Sequence, residues 1–169
     1  MRYCIDAFPG KRIVVRMMMT ALVLLLQGTA PKLEIRGDGV HAMTLGAAEL
    51  GKLPHHAVSA KGHHDSTATS YSGILLDDVL KLAGIGADSR KRTRSTMYVV
   101  VEAADGYRML FSLAELDPTL SDKQVLLVDS ANGKPLSDAQ GPLRLVVPDE
   151  KREARWVRQV RAIVVHRAP

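Results

Sequence analysis

The chain has 169 residues, 46% hydrophobic and 24% charged, with 23 Lys and Arg against 18 Asp and Glu and one cysteine. The formal net charge of +5 falls to +2 once residues 1–30 are set aside, too weak to argue for a nucleic-acid partner, and one cysteine excludes a disulfide framework. The length suits one domain preceded by a short targeting segment, because domains commonly contain about 100 to 150 residues.

Residues 1–30 read as an export signal. Lys11, Arg12 and Arg16 form a basic flank, and Met17 to Leu26 form an apolar run of about ten residues, the length of a signal h-region. A membrane-spanning helix needs roughly twenty. Gly28 and Ala30 place small residues before a cleavage site, and Cys4 precedes the apolar run, which disfavours a lipoprotein. Four cations (Arg2, Lys11, Arg12, Arg16) and one acid (Asp6) fall in this segment, so residues 31–169 keep 19 basic and 17 acidic residues, a formal +2. The expected mature protein is a single periplasmic or secreted domain, 31–169, with no membrane span and no nucleic-acid partner. A buried N-terminal helix is the alternative.

Along that domain, Lys32 to Arg36 alternates polar and apolar residues as a strand does, and Gly37-Asp38-Gly39 is a turn. Thr44 is placed to cap a short helix over Leu45 to Leu53, stopped by Pro54. His56 to Ala60 reads as a strand with Val58 inward. Leu75 to Ala83 carries apolar residues at helical spacing (Leu76, Val79, Leu80, Ala83), acids in its first turn and Gly84 at its end. The run Arg90-Lys91-Arg92-Thr93-Arg94 reads as a solvated loop. Met97 to Ala103 and Arg108 to Ser112 flank Asp105-Gly106, a hairpin signal. A helical turn at Ser112 to Leu116 follows, then strands at Val125 to Val128 and Leu143 to Val147, with Asn132-Gly133 turning between them and Pro148 stopping the second. Val157 to Val165 is a final strand with a bulge. Strands outweigh helices and no regular β-α-β rhythm appears, so the expected class is α+β.

Several runs carry a resemblance. Tyr71-Ser72-Gly73-Ile74-Leu75-Leu76-Asp77-Asp78-Val79-Leu80, Asp105-Gly106-Tyr107-Arg108, Phe111 to Leu116, Asn132-Gly133-Lys134-Pro135-Leu136, Gly141 to Pro148 and Arg155-Trp156-Val157 together resemble the molybdopterin-binding domain of the sulfite oxidase family, in a short bacterial form. The resemblance implies a β-rich α+β fold in one domain, a molybdopterin cofactor and oxidoreductase chemistry. In catalytic members of that family the dithiolene and one cysteine thiolate hold molybdenum, the cysteine standing at a strand end before the Tyr-Ser-Gly segment. Here Lys61 or Gly62 falls near that position, and neither offers a thiolate. No catalytic residue is therefore assigned.

The resemblance also implies that the pterin phosphate is held beside Trp156 by Lys151, Arg152 and Arg155, with Arg108 facing the ligand groove and Lys61 nearby. Guanidinium groups match phosphate oxygens bidentately. The alternatives are a turn of solvated cations beside a core tryptophan and, for Asp105 and Arg108, a turn residue and a cross-strand ion pair. Two histidine pairs, His55-His56 and His63-His64, supply a different reading, because neutral imidazoles suit divalent zinc, copper or nickel. Neighbouring strand residues point to opposite faces, which favours one ligand per pair. Three functions stay open: a molybdopterin- or anion-binding relative of the oxidoreductases, a histidine-based metal-binding protein, and a scaffold or interaction domain without cofactor. No Ser-His-Asp elbow, P-loop or zinc CxxC pattern points elsewhere.

Overall fold

The computed structural model describes residues 32–62, 66–85 and 94–169, and Pro31–Pro169 make one compact unit. The expected signal segment, His63, His64 and most of the basic run lie outside the described residues. The elements run β1 (Lys32–Gly37), β2 (Met43–Gly46), α1 (Ala47–Leu50), β3 (His55–Ala60), β4 (Thr69–Leu75) and α2 (Leu76–Leu82). After them come β5 (Met97–Ala103), β6 (Arg108–Ser112), α3 (Leu113–Leu116), β7 (Leu126–Ala131), β8 (Lys134–Pro135), β9 (Arg144–Val146), a 3-10 turn (Glu153–Arg155) and β10 (Val160–Arg167). No helix among the described residues is long and apolar enough to cross a membrane.

Two five-stranded sheets result. Sheet A has the order β2-β1-β10-β5-β6, and sheet B has β3-β4-β7-β8 with β9 also paired to β7. The first and last strands lie parallel at the middle of sheet A, with Glu34 opposite Ala162 and Gly37 opposite Val165. All other pairings are antiparallel. Alternation in β1 buries Leu33 and Ile35 and leaves Lys32 and Glu34 in solvent, the period-2 pattern of a sheet with one wet face. One apolar core joins the sheets: Val99, Val101, Phe111, Ile163 and Val165 of sheet A meet Ile74, Leu126, Val128 and Leu145 of sheet B and Leu76, Val79 and Leu80 of α2. The α+β expectation holds, in the β-rich form.

Local signals set several elements. Ser112 accepts the Glu115 amide at 3.1 Å while Glu115 accepts the Ser112 amide at 2.8 Å, a reciprocal cap that starts α3. Asp105 Oδ1 accepts the Tyr107 amide at 2.9 Å and closes the β5-β6 turn, as its turn reading requires. The expected Thr44-capped helix is corrected: Thr44 sits in β2 opposite Glu34, and the helix is only Ala47–Leu50 with Gly46 at its N-cap. Leu45, placed opposite Leu33 and 5% exposed, gains more by covering the edge of β1 than by starting a helical turn. Strand β4, from Thr69 to Leu75, had no alternating signal strong enough to predict it. It is buried between β3 and β7, and Gly73 lets β7 approach so closely that a Cβ there would collide with the Leu127 carbonyl and Val128 Cα.

Candidate functional site

The segment between β9 and β10 is a strap lying across both sheets, and it contains all four residues expected near a ligand phosphate. Trp156 anchors it. Its ring is 5% exposed, its Nε1 donates to the Val147 carbonyl at 2.8 Å, and it meets Tyr71 of β4 edge-on, with centroids 5.9 Å apart at 88°. Edge-to-face packing puts the positive edge of one ring on the negative face of the other.

Beside these rings lies Arg144 of β9, which sequence reasoning passed over. Its guanidinium carbon sits 5.1 Å from the Trp156 ring centre and 5.7 Å from that of Tyr71. Nη1 donates to Gln140 Oε1 at 2.9 Å and to the Tyr71 hydroxyl at 3.3 Å, and Nη2 pairs with Glu153 at 3.4 Å. Nε is buried without a hydrogen-bond partner. A charge in the middle of Leu143-Arg144-Leu145-Val146-Val147 was the available signal, because a buried cation needs a built environment. Here two aromatic faces and one carboxylate supply it.

Arg155 is placed differently from the expectation of a solvated or phosphate-holding cation. It pairs with Glu115 at 3.0 Å and Glu150 at 2.9 Å, donates to the Leu110 carbonyl at 3.1 Å, and stacks 4.1 Å over the Phe111 ring. Lys123 closes the network, 3.0 Å from Glu150 and 3.5 Å from Glu115. Burial pushes the Glu150 carboxyl upward, but the Lys123 hydrogen bond and the Arg155 charge outweigh it and leave the group below its usual range. Burial likewise opposes the charge on Arg155, and Glu115 and Glu150 overcome it, so its pKa is raised. Two cations and two carboxylates neutralise one another, and both Nη groups of Arg155 are engaged by protein oxygens.

Lys151 and Arg152 are exposed at the turn of the strap and have no ion-pair partner among the described residues. Next to them, a cleft of about 240 Å³ is lined by Asp105, Tyr107, Glu153, Ala154, Trp156 and Arg158. Tyr107 closes one side by donating to the Ala154 carbonyl at 2.6 Å. That volume is below the range of about 300 to 1,000 Å³ typical of small-molecule sites.

The remaining candidates do not gather there. Arg108 is two-thirds exposed and pairs with Glu102, directly opposite on β5, at 3.1 Å, so it is the cross-strand ion pair of the alternative reading. Lys61 is exposed just beyond Ala60, the last residue of β3, and Gly62 is buried beside it. His55 and His56 are both exposed on β3; His55 Nδ1 lies 3.0 Å from the Leu53 carbonyl and Nε2 3.2 Å from Asp129. Among the described residues, which leave out His63 and His64, no three His, Cys, Asp or Glu side chains converge as metal ligands. Arg94, expected at the end of a solvated run, is buried and pairs with Asp77 and Asp117.

The donor set after β3 does not fit molybdenum. Ala60, Lys61 and Gly62 carry no thiol, the only cysteine of the chain is Cys4 outside the described residues, and a protonated ammonium cannot coordinate.

The family model described as oxidoreductase molybdopterin binding domain matches residues 26–169. Among solved structures, the chain is similar to the sulfane dehydrogenase SoxCD from Paracoccus pantotrophus, with a TM-score of 0.63 and 21% identity. The match covers 80% of this chain and 38% of that one, so the chain spans well under half the length of its structural neighbour. At this identity the likeness establishes the fold. No curated protein matches the chain.

Proposed function

Because the chain belongs to the oxidoreductase molybdopterin binding domain family, we propose that it is an exported member that builds no molybdenum–thiolate centre and uses the fold to hold a small anionic ligand, such as a phosphate-bearing pterin, at the strap. The observation that carries this reading is the donor set after β3, where Ala60-Lys61-Gly62 stands at the expected ligand position without a sulfur. Thiolate donation is what a molybdenum centre would take from the protein there, and neither an ammonium nor a glycine hydrogen replaces it.

The anion-binding part rests on Lys151 and Arg152, which together with Arg158 are the strap cations without an ion-pair partner among the described residues, Arg155 being paired with Glu115 and Glu150. Trp156 stays the wall that fixes the strap, and Glu153 is paired with Arg144. Export rests on the basic-then-apolar residues 1–30.

X-ray absorption at the molybdenum edge, on full-length protein reconstituted with the cofactor, tests the central claim. Only the two dithiolene sulfurs are expected around the metal. A third, protein-derived sulfur would overturn the reading. Calorimetric titration with a pterin phosphate tests the anion site, and an affinity unchanged in a Lys151→Ala, Arg152→Ala variant would remove it from the strap.

A further inference from the structure

The outer face of sheet A carries a row of side chains running straight across all five strands. Thr44 of β2 lies opposite Glu34 of β1, Glu34 opposite Ala162 of β10, Ala162 opposite Glu102 of β5, and Glu102 opposite Arg108 of β6. The centre of that row is the smallest side chain in it. With long residues on both sides, Ala162 becomes the floor of a basin of about 380 Å³ lined also by Lys32, Glu34, Arg36, Thr44, Glu102 and Arg161. This is larger than the cleft beside Trp156 and falls within the range of small-molecule sites.

Arg161 reaches the basin because the ladder is broken there. The β10-β5 register shifts between Val160 and Ala162, and the inserted residue lets Arg161 and Ala162 both line one cleft, where a regular strand would send them to opposite faces. The charges divide into a committed set and a free set. Glu102, with a side chain only 9% exposed, pairs with Arg36 and Arg108 at 3.1 Å each, and Glu34 lies 3.6 Å from Arg36. The Arg36 hydrogen bond outweighs burial and holds the Glu102 carboxyl below its ordinary range, so the acid stays charged and the guanidinium stays fixed. Lys32 and Arg161 have no ion-pair partner among the described residues, and both border the basin together with the Thr44 hydroxyl.

We propose that this basin, floored by Ala162 and flanked by Lys32, Arg36, Thr44 and Arg161, is a binding site for a small doubly charged oxyanion of the phosphate or pyrophosphate class. Lys32 and Arg161 supply the charge, the Arg161 charge also acting on Glu102, the hydroxyl donates a hydrogen bond, and Glu102 fixes Arg36 at the side of the basin. Glu102 is paired with both Arg36 and Arg108, and Glu34 lies 3.6 Å from Arg36, so the carboxylates repel an incoming anion less than their number implies. The site lies on sheet A, apart from the strap, and holds whether or not a pterin binds there.

Calorimetric titration of the full chain with inorganic pyrophosphate at low ionic strength tests it. Saturable binding is expected, weakened about tenfold or more in Lys32→Ala and again in Arg161→Ala, since each removes one charge-assisted contact. Lys134→Ala, an equal charge change on sheet B, should stay within about twofold. Ala162→Leu fills the floor without touching any charge and should also weaken binding, with circular dichroism confirming that the sheet is intact. Absence of saturable binding at millimolar pyrophosphate overturns the proposal. So does an equal loss in Lys134→Ala, and so does binding that survives Arg161→Ala but disappears in Lys151→Ala, Arg152→Ala, which would place the anion at the strap.

Discussion

Replacing Arg155 by alanine separates a structural arginine from a ligand-holding one. The side chain is 23% exposed and serves Glu115, Glu150 and the Leu110 carbonyl while stacking on Phe111. Removing one partner of a fully buried ion pair costs about 3 to 5 kcal/mol. Glu115 and Glu150 are 25% and 20% exposed and keep Lys123, so water and the remaining ammonium reduce that to about 2 kcal/mol. The lost stacking adds about 0.5 to 1 kcal/mol. A total near 3 kcal/mol corresponds to a fall in Tm of about 10 °C for a domain of this size.

The pH dependence follows from the same contacts. Glu150 has its carboxyl lowered from 4.5 in the folded state. A lowered acid contributes stability that is fully present above its unfolded value and is lost as pH falls through its folded value. The gap between wild type and Arg155→Ala should therefore be full at pH 7 and shrink once the solution is more acidic than that folded value. Thermal and urea denaturation followed by circular dichroism, at neutral and acid pH, measure both quantities. A Tm change under about 2 °C, or a gap that does not narrow in acid, would refute the reasoning and return Arg155 to the solvated set.

Trp156→Ala should cost about 3 to 5 kcal/mol, because it empties a core position against Tyr71 and leaves Arg144 without one of its two aromatic faces. Trp156 is the only tryptophan, so the wild-type emission should be that of a buried indole and should shift to the red in one step with denaturant; a solvent-exposed spectrum in the native state would contradict its placement. Gly73→Ala should be among the most damaging single-methyl changes, above about 3 kcal/mol, because the added Cβ meets backbone atoms of β7 that cannot move without opening the sheet. A melting temperature within a few degrees of wild type in that variant would show that β4 and β7 are not packed this closely.

Some of this architecture was legible because its causes are local. The hairpin of β5 and β6 needs only Asp105-Gly106 between two alternating runs. The start of α3 needs only Ser112 and Glu115 three residues apart, and helix α2 needs only its apolar spacing and first-turn acids. The ordered motifs from Tyr71 to Val157 sufficed for the family, and the absence of a thiol at Lys61-Gly62 is plain from the residues alone.

The fate of the charges was decided elsewhere. Nothing near Arg155 in the chain announces Glu115, 40 residues earlier, or the ring of Phe111 beneath it. Arg36 meets Glu102 across 66 positions, and Arg144 meets Tyr71 across 73. Thr44 and Leu45 have the residues of a helix start, yet the open edge of β1 draws them into a strand; Arg94 ends a basic run, yet Asp77 and Asp117 take it into the interior. Backbone propensities and turn chemistry act over three or four residues and are written in the sequence. Which cation is consumed by a carboxylate, and which is left free beside a small residue such as Ala162, depends on strands that meet only when the two sheets close on their shared core.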